Sequence, residues 1–75
     1  MLNKEIIICS DFITLAQLLK FANVIDSGGM AKAFLSSNTI QVNGVNDNRR
    51  GRKLYPNDQI IINNEFCLTL KRKLG

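Results

Sequence analysis

The densest chemical feature of the sequence is Arg49-Arg50-Gly51-Arg52-Lys53, four cations within five positions. Like charges this close repel, so the run is costly unless it is solvated or faces a counter-charge. Taken alone, it is either an exposed, solubilising loop or a grip for a polyanion. Three of the cations are Arg, whose planar fork makes bidentate contacts to phosphate that a Lys ammonium does not. Gly51 allows the backbone to bend or to approach a ligand closely. A second feature, Ser27-Gly28-Gly29, stands where a helix is expected to start, and there unpaired amides and the positive dipole end favour an anion. The plainer alternative is a helix start capped by Ser27, with the glycines serving the turn. Lys32 lies one turn further on and Lys20 late in the preceding helix, both placed to flank the same phosphate.

Catalysis has little to work with. The chain has no His and so lacks the commonest general base near neutral pH. Asp11, Asp26, Asp47 and Asp58 all adjoin turns or helix starts, where Asp ordinarily caps backbone. Cys9 and Cys67 are far apart and in no metal-ligand or redox spacing. Their apolar neighbours suggest buried, reduced thiols, with a disulfide between adjacent strands left open. Tyr55, the only Tyr, precedes Pro56 and reads as a packing residue rather than a base-stacking platform.

The elements that must position these residues follow from periodicity. Ile6-Ile7-Ile8 reads as a short opening strand ending at Ser10-Asp11. Thr14 and Gln17 have capping-box spacing, and Leu15, Leu18, Leu19 and Ala22 then recur at helical intervals. Ser27 is the expected N-cap of a second helix with Ala31, Phe34 and Leu35 on one side. Neither helix would be stable alone, so their apolar stripes must be buried against each other and a sheet. From Thr39 the period changes to two, with Ile40 and Val42 facing one way before Asn43-Gly44, a strong hairpin signal. Tyr55-Pro56-Asn57-Asp58 marks a turn before a strand over 59–62, and Asn63-Asn64-Glu65 another before Phe66, Leu68 and Leu70. Lys71-Arg72-Lys73 closes as a basic tail.

Composition sets the outer limits. Seventy-five residues, 45% of them hydrophobic and none of them Trp, leave room for one domain with a small aliphatic core and no large cofactor pocket. The net charge of +4 favours polyanionic partners. Residues 1–48 hold three basic and four acidic side chains and residues 49–75 hold seven and two, so the positive field belongs to the last third. The only apolar stretch near the N-terminus is too short for a signal peptide or a membrane span, so a cytoplasmic protein is expected.

Taken together, Ser27, Ala31, Phe34-Leu35, Ile40, Val42-Asn43-Gly44 and then Leu54, Asn57, Asp58 and Ile60 resemble the RNA-binding domain first described in ribosomal small-subunit protein four, the S-four domain. Ser-Gly-Gly and Arg-Arg-Gly-Arg-Lys-Leu make the whole most similar to small stand-alone bacterial members of the YaaA and YbcJ type. The resemblance spans roughly residues 13–62. It implies an α+β fold, two short antiparallel helices packed on a small bent antiparallel sheet (the alpha-L RNA-binding motif), with RNA across the helix pair and the adjoining β-loop. Three positions depart from the family pattern. Gly28 stands where many members have Arg, so backbone amides must serve there, and Asn38 and Asn57 stand where Gly is common, Asn being the best substitute for a positive φ.

The resulting expectation is a single non-catalytic domain over residues 1–75 that docks on structured RNA in ribosome assembly or maintenance. Ribosomal RNA is the leading target and transfer RNA the next, with ribosomal particles as partners. No cofactor, metal, membrane or small-molecule substrate is expected. The expected RNA-binding residues are Lys20, Ser27, Gly28, Gly29, Lys32, Asn43, Arg49, Arg50, Arg52 and Lys53. Scarcity of stacking aromatics favours a folded over a single-stranded target. Two rivals are a ubiquitin-like carrier, disfavoured because the chain ends Lys-Leu-Gly rather than Gly-Gly, and an accessory module acting in trans with an RNA-modifying enzyme.

Overall fold

Period-two alternation decides which side of each strand meets the core. Ile6 and Ile8, Ile40 and Val42, Ile60 and Ile62, and Leu68 and Leu70 are all buried, while their odd-numbered neighbours point outward. The computed structural model describes residues 2–73. It contains β1 (Leu2–Ile8), β2 (Ile13–Thr14), α1 (Leu15–Phe21), a 3-10 helix (Gly28–Met30), α2 (Ala31–Ser37), β3 (Ile40–Val42), β4 (Val45–Asn46), β5 (Lys53–Leu54), β6 (Gln59–Ile62) and β7 (Phe66–Arg72). One sheet has the order β1-β7-β6-β3-β4, and β2 and β5 form a separate two-stranded ribbon. The fold is α+β. Leu15, Leu18 and Leu19 from α1 and Ala31 and Leu35 from α2 join the strand residues in one core.

The start of α1 is as local chemistry dictates. The Gln17 amide donates to Thr14 Oγ1 at 3.2 Å, and Gln17 Oε1 accepts from the Thr14 amide at 2.9 Å, closing the capping box. The second helix begins differently. Ser27 makes no side-chain cap; the chain enters through the 3-10 helix, and α2 proper starts at Ala31. With bare glycines at 28 and 29, a tight turn forms more readily than a full α-helical one.

Asparagines shape most of the turns. Asn43 (φ 52°) and Gly44 (φ 86°) make the two-residue β3–β4 hairpin, with Val42 opposite Val45. Asn57, Asn63 and Asn64 also have positive φ. Asn38 does not, contrary to expectation. Its backbone is extended (φ −132°), and its side-chain Nδ2 instead donates to the Phe34 carbonyl at the end of α2 while its Oδ1 accepts from Asn63.

Further expectations are corrected. The sheet is mixed, not antiparallel, because β1 runs parallel to β7, from Leu2 opposite Phe66 to Ile8 opposite Arg72. The opening strand is longer than the Ile6–Ile8 run suggested, and Lys71 and Arg72 belong to β7, with the Arg72 guanidinium paired to Asp11. Nor are both cysteines buried, since Cys9 is exposed and Cys67 half-buried. Cys67 lies opposite Asn3 and Cys9 follows Ile8, so the two are six positions out of register, on the order of 20 Å along the strand. A disulfide needs Cα atoms closer than about 7 Å. We expect the native protein to titrate with two free thiols under non-reducing conditions, Cys9 first; a single intramolecular bridge by mass would contradict this register. Among the described residues no helix is long and apolar enough to cross a membrane. Leu74 and Gly75, on which the carrier reading turned, lie outside them.

Candidate nucleic-acid interface

The basic run is a built loop, because one acid organises it. Asp47, its carboxylate 8% exposed, accepts the Arg49 amide at 3.0 Å, Arg49 Nε at 3.1 Å and Nη2 at 2.8 Å, and Arg52 Nη1 at 2.6 Å. Two of the four cations are thus held in fixed directions and half neutralised as a pair, while Arg50 and Lys53 have no acidic partner among the described residues. The loop is also tied to α1. The Arg52 carbonyl accepts the Leu15 amide at 2.9 Å and the Arg50 carbonyl accepts the Ala16 amide at 3.0 Å. Amides at the start of α1 are therefore used internally.

The Arg49 side chain, donating to Asp47, holds this carboxyl well below the ordinary carboxylate range; burial opposes the shift, and the Arg49 amide and Arg52 side chain reinforce it. The folded-state value is lowered, so the stabilisation is present above the unfolded-state value near about 4 and is lost as pH falls through the folded one. Asp47→Asn should therefore lower stability at neutral pH, with the gap from native closing below about pH 4. Urea unfolding of both proteins at several pH values measures this, and a gap that stays constant would show that Asp47 charge does not order the loop.

Gly51 is not in a left-handed conformation, and a Cβ added there or at Gly28 would meet nothing. The fold itself does not require bare backbone at either place, and open space lies in front of both. Lys20 and Lys32 are exposed on α1 and α2 and form no ion pair among the described residues. Ser27, Gly28 and Gly29 are exposed in the 3-10 entry to α2. Asn43 has internal work instead. Its Nδ2 donates to Asp58 Oδ1 at 3.1 Å and its Oδ1 accepts the Gln59 amide at 3.0 Å, tying the hairpin to the next turn.

Sequence reasoning missed a groove between the end of α2 and the basic loop, where Leu35, Ile40 and Val45 lie beside Asn46, Arg49 and Arg52. Its only sequence signal was the Asp47-x-Arg49-x-x-Arg52 spacing, which reads as a salt-bridged staple once the loop is known to fold back. Tyr55, expected in packing, is half exposed. Among the described residues no three His, Cys, Asp or Glu side chains are grouped to hold a metal.

A family model described as S4 domain matches residues 6–69. The chain is 58% identical over 53 residues to a protein of Bacillus subtilis (strain 168) named "Probable ribosome maturation protein RlbA", an alignment covering 71% of this chain and 75% of that one.

Proposed function

The chain belongs to the S4 domain family, and from that premise we propose that it is a non-catalytic, cytoplasmic RNA-binding protein that docks on structured RNA in ribosome assembly or maintenance. Ribosomal RNA is the favoured target and transfer RNA the next. The observation that carries this reading is the loop from Arg49 to Lys53, in which Asp47 orients the Arg49 and Arg52 guanidiniums and the backbone is fastened to the start of α1. The ordering stabilises the fold, and phosphate recognition gains from it as well, because cations already positioned need not be immobilised on binding.

In this reading Arg49, Arg50, Arg52 and Lys53 neutralise backbone phosphates, and the exposed Ser27-Gly28-Gly29 segment, with Lys20 and Lys32 beside it, receives another in the alpha-L manner. Asn43 contributes by fixing the hairpin rather than by direct contact. Recognition rests on RNA shape. The name of the Bacillus subtilis relative supports the ribosomal setting. Equilibrium binding to a folded ribosomal RNA fragment, to a transfer RNA and to an unstructured RNA of equal length tests the proposal: the folded RNAs should bind more tightly, and equal affinity for all three would refute recognition by shape.

A further inference from the structure

The β2–β5 ribbon presents an aromatic pair at the end of the basic loop. Ile13 and Leu54 are paired and buried, so in this antiparallel register Phe12 and Tyr55 fall opposite one another on the outer face, with Lys53 diagonal to Phe12. Phe12 and Tyr55 are 39% and 49% exposed, their ring centroids 6.0 Å apart and the ring planes inclined by 48°. Lys53 Nζ lies 5.0 Å from the centre of the Phe12 ring. Tyr55 is held on a fixed turn, since its amide donates to Asp58 Oδ2 at 2.8 Å and its carbonyl accepts the Asp58 amide at 3.0 Å. On the far side, Asp11 next to Phe12 carries the paired Arg72.

Single exposed aromatics need no explanation. Two adjacent ones, with a Lys ammonium over one ring and the basic loop continuous with them, do. Resting on the reading that this chain binds structured RNA, we propose that Phe12 and Tyr55 form a stacking platform for one unpaired nucleobase next to the helical segment whose phosphates the loop holds. A base within a duplex is already stacked on its neighbours, so only an unpaired one is available. Stacking of a base on an aromatic ring outweighs an exposed cation–π contact. The base therefore displaces Lys53 from Phe12 and frees its ammonium for the neighbouring phosphate.

The test compares two RNA hairpins of identical stem, one blunt and one with a single unpaired 2-aminopurine beside the stem, for the native chain, Tyr55→Leu and Tyr55→Phe. The native chain should prefer the unpaired-base hairpin by about tenfold, within the range of one stacked base, and quench its fluorescence. Tyr55→Leu should lose preference and quenching while binding the blunt hairpin as before, and Tyr55→Phe should retain both. Should Tyr55→Leu not fold, the aromatic protons of Tyr55, the only Tyr of the chain, should shift in the native chain on adding the unpaired-base hairpin and not the blunt one. Equal binding of both hairpins by the native chain, with no quenching and no Tyr55 shift, overturns the platform while leaving RNA docking intact. Absence of salt-dependent binding to either hairpin overturns the docking reading itself.

Discussion

Replacing Arg49, Arg50, Arg52 and Lys53 together by Ala should lower the slope of log affinity against log salt concentration by roughly 2 to 3 units, as about 0.7 to 0.9 per lost phosphate contact implies. The structure explains why the expected drop falls short of four contacts. Asp47 neutralises about one charge of the Arg49 and Arg52 pair, leaving three net positive charges in the loop. Between about 50 and about 200 mM salt, native binding should therefore weaken roughly 16- to 64-fold more than binding by the variant. None of the four belongs to the core, so circular dichroism should show the variant folded, and less stable than native because Asp47 loses both partners. Equal slopes for the two proteins would reduce the loop to a solvated surface.

The second large effect is on stability. Leu54 is fully buried, pairs with Ile13 across the β2–β5 ribbon, and directly follows Lys53. Truncating a buried Leu to Ala costs about 2 to 5 kcal/mol, against a total near about 4 to 11 kcal/mol for a domain of this length. Leu54→Ala should therefore lower Tm by roughly 10 to 30 °C. Because Leu54 anchors one end of the loop, the variant should also bind RNA more weakly at temperatures where it remains folded. A Tm within about 3 °C of native would mean that the ribbon does not anchor the basic loop to the core.

Features encoded within a few residues were legible. The Thr14–Gln17 capping box, the Asn43-Gly44 hairpin and the alternation of Ile40 and Val42 each depend on neighbours in sequence, and each forms as read. What depends on distant partners was not. β1 has no hairpin neighbour, and Leu2-Asn3-Lys4-Glu5 shows no apolar period, so nothing local announced that it would extend the sheet by running parallel to β7. Cys9 looked buried because Ile6 and Ile8 precede it, but the strand ends at Ile8 and leaves it exposed. Ribbon strands of two residues are too short to detect, which hid both the fastening of the loop to α1 and the meeting of Phe12 with Tyr55.

The basic run itself was plain in the sequence, and its internal order was not. Four cations in five positions said only that a counter-charge was needed. The structure supplies part of it from within through Asp47, whose carboxylate serves as the hub of the loop rather than as a simple turn cap. It leaves Arg50 and Lys53 facing outward without an acidic partner among the described residues.

The proposed grip on structured RNA consists of the loop from Arg49 to Lys53 and the glycine entry to α2. Its most direct test is amide chemical-shift mapping of the native protein with a folded ribosomal RNA fragment. The largest shifts should fall on Arg49 to Lys53 and on Gly28 and Gly29, while the outward-facing Glu5, Gln59 and Thr69 of the sheet stay in place. Largest shifts on that outer sheet face, with the loop unmoved, would contradict it.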